Sequence, residues 1–397
     1  MSSKGKNKKN RAYQPAGQVE LVFSGDDYFQ RLARLIEGAQ DELHIQTYIF
    51  DNDETGRAVV ALLKKAAARN VNIFVLLDGF GASSFPRQLR AELSAAGVHI
   101  RFFAPLFTTN TVYLGRRMHH KVIVADGHTA LIGGINIADK YHGTREELPW
   151  LDYAIEIRGT ICAGLQEFCS NIYHRRSFRK MVHPKNGNAS GTIPIRIALN
   201  DWVNGKNEIS KDYLQAIREA KKEIIIVGGY FIPGKRLRAA LRNAVRRGVK
   251  VKIILAGISD VILVARATRF FYAFLLRNKI ELYEWRQSVL HGKAAVVDRE
   301  WCTIGSFNLN HLSTYASIEM NVEVQSNEFS EAFSKHLYEV MSRCEPVLPQ
   351  HEKKSSLMNQ FMNWCSFRLL RMASFVLTVF SYHRWFRRFL LGRKQYG

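Results

Sequence analysis

The pattern His-x-Lys, four residues, Asp, six residues, Gly-x-x-Asn occurs twice in this chain. Each fixed element of the second copy stands 172 positions after its counterpart: His119 and His291, Lys121 and Lys293, Asp126 and Asp298, Asn136 and Asn308. One such pattern is weak evidence, but two in register require a duplicated architecture. The segments upstream agree. An apolar β-like run at residues 42–50, an amphipathic stretch at 61–69 and a second apolar run at 71–78 return as 223–231, 237–247 and 249–256. There Leu63 matches Leu241, Arg69 matches Arg247 and Leu77 matches Leu255, each 178 positions on. Strand, helix, strand, repeated, predicts two α/β halves, each a mainly parallel sheet covered by helices.

The motif residues suit chemistry at phosphorus. Residues 119–124 (HHKVIV) and 291–296 (HGKAAV) read as strands, in which side chains two apart share a face, so each His and its Lys point the same way. The following strand ends in Gly133-Gly134-Ile135-Asn136 or Gly305-Ser306-Phe307-Asn308, where small residues let a phosphate approach the backbone. Each half therefore offers an imidazole, a fixed cation and amide or hydroxyl donors. Two facing halves supply what in-line displacement requires: a nucleophile, a general acid, and cations around the equatorial oxygens. Asp126 and Asp298 complete this catalytic set by motif, although a carboxylate just past a strand reads more naturally as a turn former. Downstream, Asp152 and Glu319 occupy equivalent positions, where each can hold one ring nitrogen of a catalytic His and free the other. A lone His in a strand carries no such weight, and His44, His99, His128, His142, His174 and His311 are read as ordinary core or surface residues.

The 397 residues suit two domains. We read residues 1–18 as a basic disordered arm, 19–182 as the first domain, 183–193 (HPKNGNASGTI) as a linker, 194–345 as the second domain and 346–397 as a tail. In the tail, Phe361, Trp364, Phe375 and Trp385 alternate with Arg368, Arg371, Arg384 and Arg388, a mixture suited to a helix lying among lipid headgroups. No run is long and apolar enough to span a bilayer. The net charge of +22 draws the chain toward polyanions, either nucleic acid or an anionic membrane face. Five cysteines without Cys-x-x-Cys spacing argue against a disulfide framework or zinc site and suggest a reducing compartment. No metal cluster or Walker-type phosphate loop is visible, so no cofactor is expected.

On these residues the chain resembles the phospholipase D superfamily, whose mark is the paired His-x-Lys-x4-Asp motif with its Gly-Ser-x-Asn extension. The resemblance covers about Val19 to Cys344. Within the superfamily the chain is most similar to bacterial cardiolipin synthases, in particular the shorter B type, through phrases such as Leu76-Leu77-Asp78-Gly79 and Tyr230-Phe231-Ile232-Pro233-Gly234. The resemblance implies two phospholipase D-like α/β/α domains with a pseudo-twofold active site between them. One motif His is then the nucleophile and the other the acid and base. Lys121, Lys293, Asn136 and Asn308 bind phosphate, Asp126 and Asp298 are mainly structural, and Asp152 and Glu319 orient the histidines. Gly134 stands where Ser306 does, so one hydroxyl contact is absent. The implied reaction is transfer of a phosphatidyl group from phosphatidylglycerol to a second phospholipid, phosphatidylglycerol or phosphatidylethanolamine, peripherally on the cytoplasmic face of an inner membrane. Phe102–Leu114 and Val261–Leu276 are candidates for a lipid entrance or for plain packing. A hydrolytic phospholipase D and a phosphatidylserine synthase share every catalytic residue and stay open as alternatives. A nuclease of the same superfamily is favoured by charge, but the apolar tail argues against nucleic acid as the partner.

Overall fold

The structure, a computed structural model, describes residues 13–105, 107–108, 111–112, 115–176, 193–350 and 356–391. The expected arm through residue 12 and the linker at 183–192 lie outside them. The first sheet runs, from edge to edge, Gln18–Phe23, Tyr153–Arg158, Thr129–Gly133, Lys121–Ala125, Glu42–Thr47, Asn72–Asp78 and His99–Phe103. The second repeats that order with Ile193–Asp201, Ser317–Val324, Trp301–Gly305, Lys293–Val297, Glu223–Gly228, Lys250–Ala256 and Glu281–Trp285. The duplication thus extends to every strand of the motif region.

Two expectations are corrected. The sheets are mixed rather than mainly parallel. Within each half the strand-helix-strand units pair in parallel, Glu42–Thr47 with Asn72–Asp78 with His99–Phe103 and likewise in the second half. Each motif is instead a tight hairpin, and a short turn between adjacent strands makes them antiparallel. Nor is the stretch up to residue 18 without structure throughout: Gln14–Ala16 is a strand, and it pairs not with its own half but with Ile193–Asp201 of the other.

Apolar residues sort into three cores. One lies on the outer face of the first sheet under helices such as Asp26–Gly38 and Glu54–Ala68, and one on the outer face of the second under Glu208–Glu219 and Lys235–Arg246. The third is shared. Val122, Ile132 and Ile155 of the first sheet and Val227, Val296 and Val322 of the second belong to one cluster, filled by helices Ile161–Tyr173 and Asn327–Ser342. The halves are therefore fused through a common apolar layer rather than tethered. The recurring arginines are structural. Arg69 donates to the carbonyls of Ile36, Glu37 and Ala39, and Arg247 to those of Ile217 and Ala220, closing the ends of equivalent helices.

The tail forms one helix, Leu357–Leu391, whose Phe367 and Leu370 pack on the second outer core. Among the described residues no helix is long and apolar enough to cross a membrane.

The motif aspartates sit at the hairpin turns. Asp126 (φ 52°) and Asp298 (φ 54°) adopt left-handed backbone, which Asp tolerates better than most residues. The Asp126 carboxylate accepts the backbone N–H groups of Gln40, Asp41 and Glu42, each at 2.9 Å. Asp298 accepts those of Lys221, Lys222 and Glu223 at 2.7–2.9 Å. Six residues of mostly extended chain, about 20 Å, separate each from its motif His. We expect Asp298→Ala to lower unfolding stability by about 1–3 kcal/mol, read by urea denaturation, while kcat of the folded enzyme stays unchanged.

Candidate active site

Each motif histidine precedes its strand and is gripped by the opposite half. The successive N–H groups of His119 and His120 both donate to Ile318 O at 3.0 Å, and those of His291 and Gly292 both donate to Leu151 O at 2.9 Å. Arg117–Met118 pairs in parallel with Ser317–Ile318, and Leu151 bridges to Leu290. The side chains cross in the same way: His119 Nδ1 lies 2.9 Å from Glu319 Oε2, and His291 Nδ1 lies 2.6 Å from Asp152 Oδ2. Both carboxylates are fully buried. Each accepts a ring N–H, which holds the proton on Nδ1 and leaves the Nε2 lone pair free.

Lys121 and Lys293 are almost wholly buried beside the histidines, and each ammonium donates to the carbonyl of its own motif His. Burial pushes Lys121 down to about 7, assisted by the charge of Lys293. It pushes Lys293 down to about 8 against the pull of Asp152 and Glu319. The histidines respond alike. Burial lowers His119, with Glu319 opposing and Lys121 assisting, while burial and then Lys293 push His291 down to about 3. Burial works against the Asp152 carboxylate, yet Lys293 and the His291 hydrogen bond hold it below the usual range. The pocket thus sets two buried cations beside two neutral imidazoles, with Asp152 and Glu319 behind the rings as the balancing charges.

The halves differ in their third element. Ser306 Oγ donates to Glu319 Oε2 at 2.5 Å, so this hydroxyl orients the carboxylate behind His119. At Gly134 an added Cβ would overlap the Asp152 carboxylate, so the absent side chain is a requirement of the shorter acid's position. Asn136 is already engaged: its amide donates to Tyr141 Oη at 2.8 Å and its oxygen accepts Ile49 N–H at 3.0 Å. Asn308 Oδ1, by contrast, is buried without a partner among the described residues. Asp126 and Asp298 are not brought to the site. His120, fully buried, bonds Gln46 Oε1 at 2.8 Å and serves the core.

Four aromatic residues that the motif did not single out wall the site. Tyr48 packs edge-on to His119 with Lys121 over its ring, and Tyr230 stands in the same relation to His291 and Lys293. Tyr141 and Trp150 complete the wall around His291, with Tyr141 Oη 3.5 Å from His291 Nε2. Their signal was available, since Tyr48 and Tyr230 each follow the first strand of a duplicated unit.

The family described as cardiolipin synthase, PLD-like domain, matches the chain twice, over residues 32–160 and 213–341. Cardiolipin synthase B of Escherichia coli is 31% identical over 369 residues, covering 91% of this chain and 89% of its own length. A minor cardiolipin synthase of Bacillus subtilis is 30% identical over 366 residues, covering 90% of each. Among solved structures, a phosphatidylserine synthase of Haemophilus influenzae superposes with a TM-score of 0.73 at 14% identity, covering 93% of this chain and 97% of that one; this likeness concerns the fold alone.

Two outcomes follow from the geometry. Asp152→Asn takes the acceptor charge from His291, and kcat should fall about 10²- to 10⁴-fold with the melting temperature little changed. In a pH series, kcat/KM should fall as pH rises through about 7 and then about 8, where Lys121 and Lys293 lose their protons. The limb for kcat should lie higher, because a bound phosphodiester holds those protons on. Coincident limbs would remove the lysines from phosphate binding.

Proposed function

Since the chain belongs to the cardiolipin synthase family of phospholipase D-like proteins, we propose that it is a phosphatidyltransferase that joins two phospholipids into cardiolipin through a phosphatidyl-histidine. The observation that carries this reading is the pair of carboxylate-backed imidazoles, one from each half, inside a buried cage of two lysines.

His119 is assigned as the nucleophile. Its side chain keeps 15% of its exposure against 6% for His291, whose Nε2 already faces the Tyr141 hydroxyl. When the phosphodiester of phosphatidylglycerol enters, its negative charge offsets the two ammoniums that disfavour protonated His291. His291 then takes up the proton that Asp152 is placed to stabilise. His119 Nε2 attacks phosphorus, the bond to the glycerol headgroup breaks, and His291 protonates the departing oxygen. Lys121, Lys293 and the side-chain N–H of Asn308 hold the phosphoryl oxygens as charge develops. The terminal headgroup hydroxyl of a second phospholipid enters next. His291 removes its proton, the oxygen attacks phosphorus, and the P–N bond to His119 breaks. One phosphodiester is exchanged for another, so no nucleotide is consumed. The rings of Tyr48, Tyr141, Trp150 and Tyr230 exclude the water that would divert the intermediate to hydrolysis.

The substrate lies in a bilayer, and one surface of the protein suits it. Tail residues Phe361, Trp364, Met372 and Phe375 are exposed, and beside the tail helix Val261 and Ile262 are exposed at the start of helix Ile262–Arg269. Arg266, on that short helix, touches Met362 of the tail, so the apolar residues form one continuous patch. Val261–Leu276 thus divides its work: Ala267, Phe271 and Leu275 pack inside while its first turn faces out. With Arg368 stacked on Trp364, the patch has the character of a headgroup-level membrane surface on a peripheral protein, and we assign it to the cytoplasmic face.

Purified protein incubated with labelled phosphatidylglycerol should release glycerol and form cardiolipin. His119→Ala should abolish turnover and acid-labile labelling of the protein, whereas His291→Ala should slow both steps. Phosphatidic acid as the sole product would make the protein a hydrolase, and unchanged turnover by His119→Ala would remove it as nucleophile.

A further inference from the structure

Outside the catalytic cage, the second half contains an open cleft of about 490 Å³ bordered by helix Lys235–Arg246, the short helix His311–Tyr315 and the tail helix. Five cations line it, Lys211, Lys235, Arg236, Arg238 and Arg371, and no Asp or Glu does. Among the described residues none of the five is in an ion pair, and Arg238 Nε is buried without a hydrogen-bond partner. Arg371 lies close enough to Arg238 and His311 to add to the burial that disfavours their charged forms. Like charges gathered around a cleft, with no acid to separate them, carry a cost that an anion in the cleft removes. The rest of the lining joins apolar side chains, Phe307, Leu309 and Phe367 among them, to polar ones such as Ser210, Asn310 and Thr314.

We propose that this cleft is a second phospholipid site, distinct from the catalytic centre, in which the cations hold the phosphate of an anionic glycerophospholipid. Its acyl chains lie along the apolar face of the tail helix. The size suits a headgroup, and the cleft adjoins the patch assigned to the bilayer: Phe367 and Arg371 of the tail line the cleft, while Trp364, Met372 and Phe375 of the same helix face outward. The site is also joined to catalysis. Phe307 and Leu309 flank Asn308, the motif residue assigned to the phosphate, so a lipid seated here fixes the loop that carries it. The proposal rests on the reading that the protein works at a bilayer of anionic phospholipid.

The test is equilibrium binding of dihexanoylphosphatidylglycerol, below its micellar concentration, to the full chain carrying His119→Ala so that the probe is not consumed. The chain should show two classes of site. Lys211→Gln with Arg371→Gln, both exposed side chains, should weaken one class by about tenfold for each cation removed and leave the other untouched. Lys211→Arg with Arg371→Lys should restore it. Inorganic phosphate should compete at that class at least about tenfold more weakly than the lipid, since it gains nothing from the apolar floor. Equal binding of phosphate and lipid would make this a free-phosphate site and overturn the lipid assignment, and unchanged lipid binding by the doubly substituted chain would overturn the site. Turnover is scored separately on chains that retain His119. Failure of the proposed reaction removes turnover from the parent chain, whereas failure of this site leaves the binding of parent and variant alike.

Discussion

Two hydrogen bonds, from His119 to Glu319 and from His291 to Asp152, join residues 200 and 139 positions apart, and both run from one half of the duplication to the other. Neither half can prepare its own imidazole. A carboxylate supplied in trans sets the tautomer, and the carbonyls of Ile318 and Leu151, also in trans, set where each histidine stands. The shared apolar layer holds these bonds in register, because any slip between the sheets would break both at once. Pseudo-twofold symmetry here is a working requirement of the site.

The cage also concentrates unfavourable electrostatics. Two buried lysines face two histidines that their charge helps to keep neutral, with Asp152 and Glu319 as the compensating acids. An anion entering such a site meets cations that have already lost their water, so desolvation of the protein is not charged against binding. Only species that bring negative charge into the cage reverse the depression of His291, which couples recognition of the phosphodiester to the appearance of its acid catalyst.

Much of this was legible in the residues, and what was not has physical causes. The offset of 172 located both histidines, both lysines and the duplicated strands, because a repeated side-chain period survives sequence divergence. The equivalence of Asp152 and Glu319 was visible too, but not that they exchange partners, since pairing across a symmetry axis leaves no trace in spacing. The parallel expectation failed at the hairpins. Asp126-Gly127 and Asp298-Arg299 are turn residues with positive φ, and only the first pair advertises it through a glycine. The aromatic wall escaped because Tyr48, Tyr141, Trp150 and Tyr230 come from four separate segments that the fold gathers around the two histidines.

The strand Gln14–Ala16, lying at the edge of the second sheet rather than the first, has a consequence in time. During synthesis the first sheet has all seven strands once Arg158 has emerged, yet this leading strand must wait for Ile193–Asp201, and His119 must wait for Glu319. Early residues are thus left with obligations that only late ones discharge. A nascent or truncated chain that stops short of residue 319 has the His119 imidazole without its carboxylate. An enzyme that rewrites the lipids of a membrane is in this way assembled before it is armed.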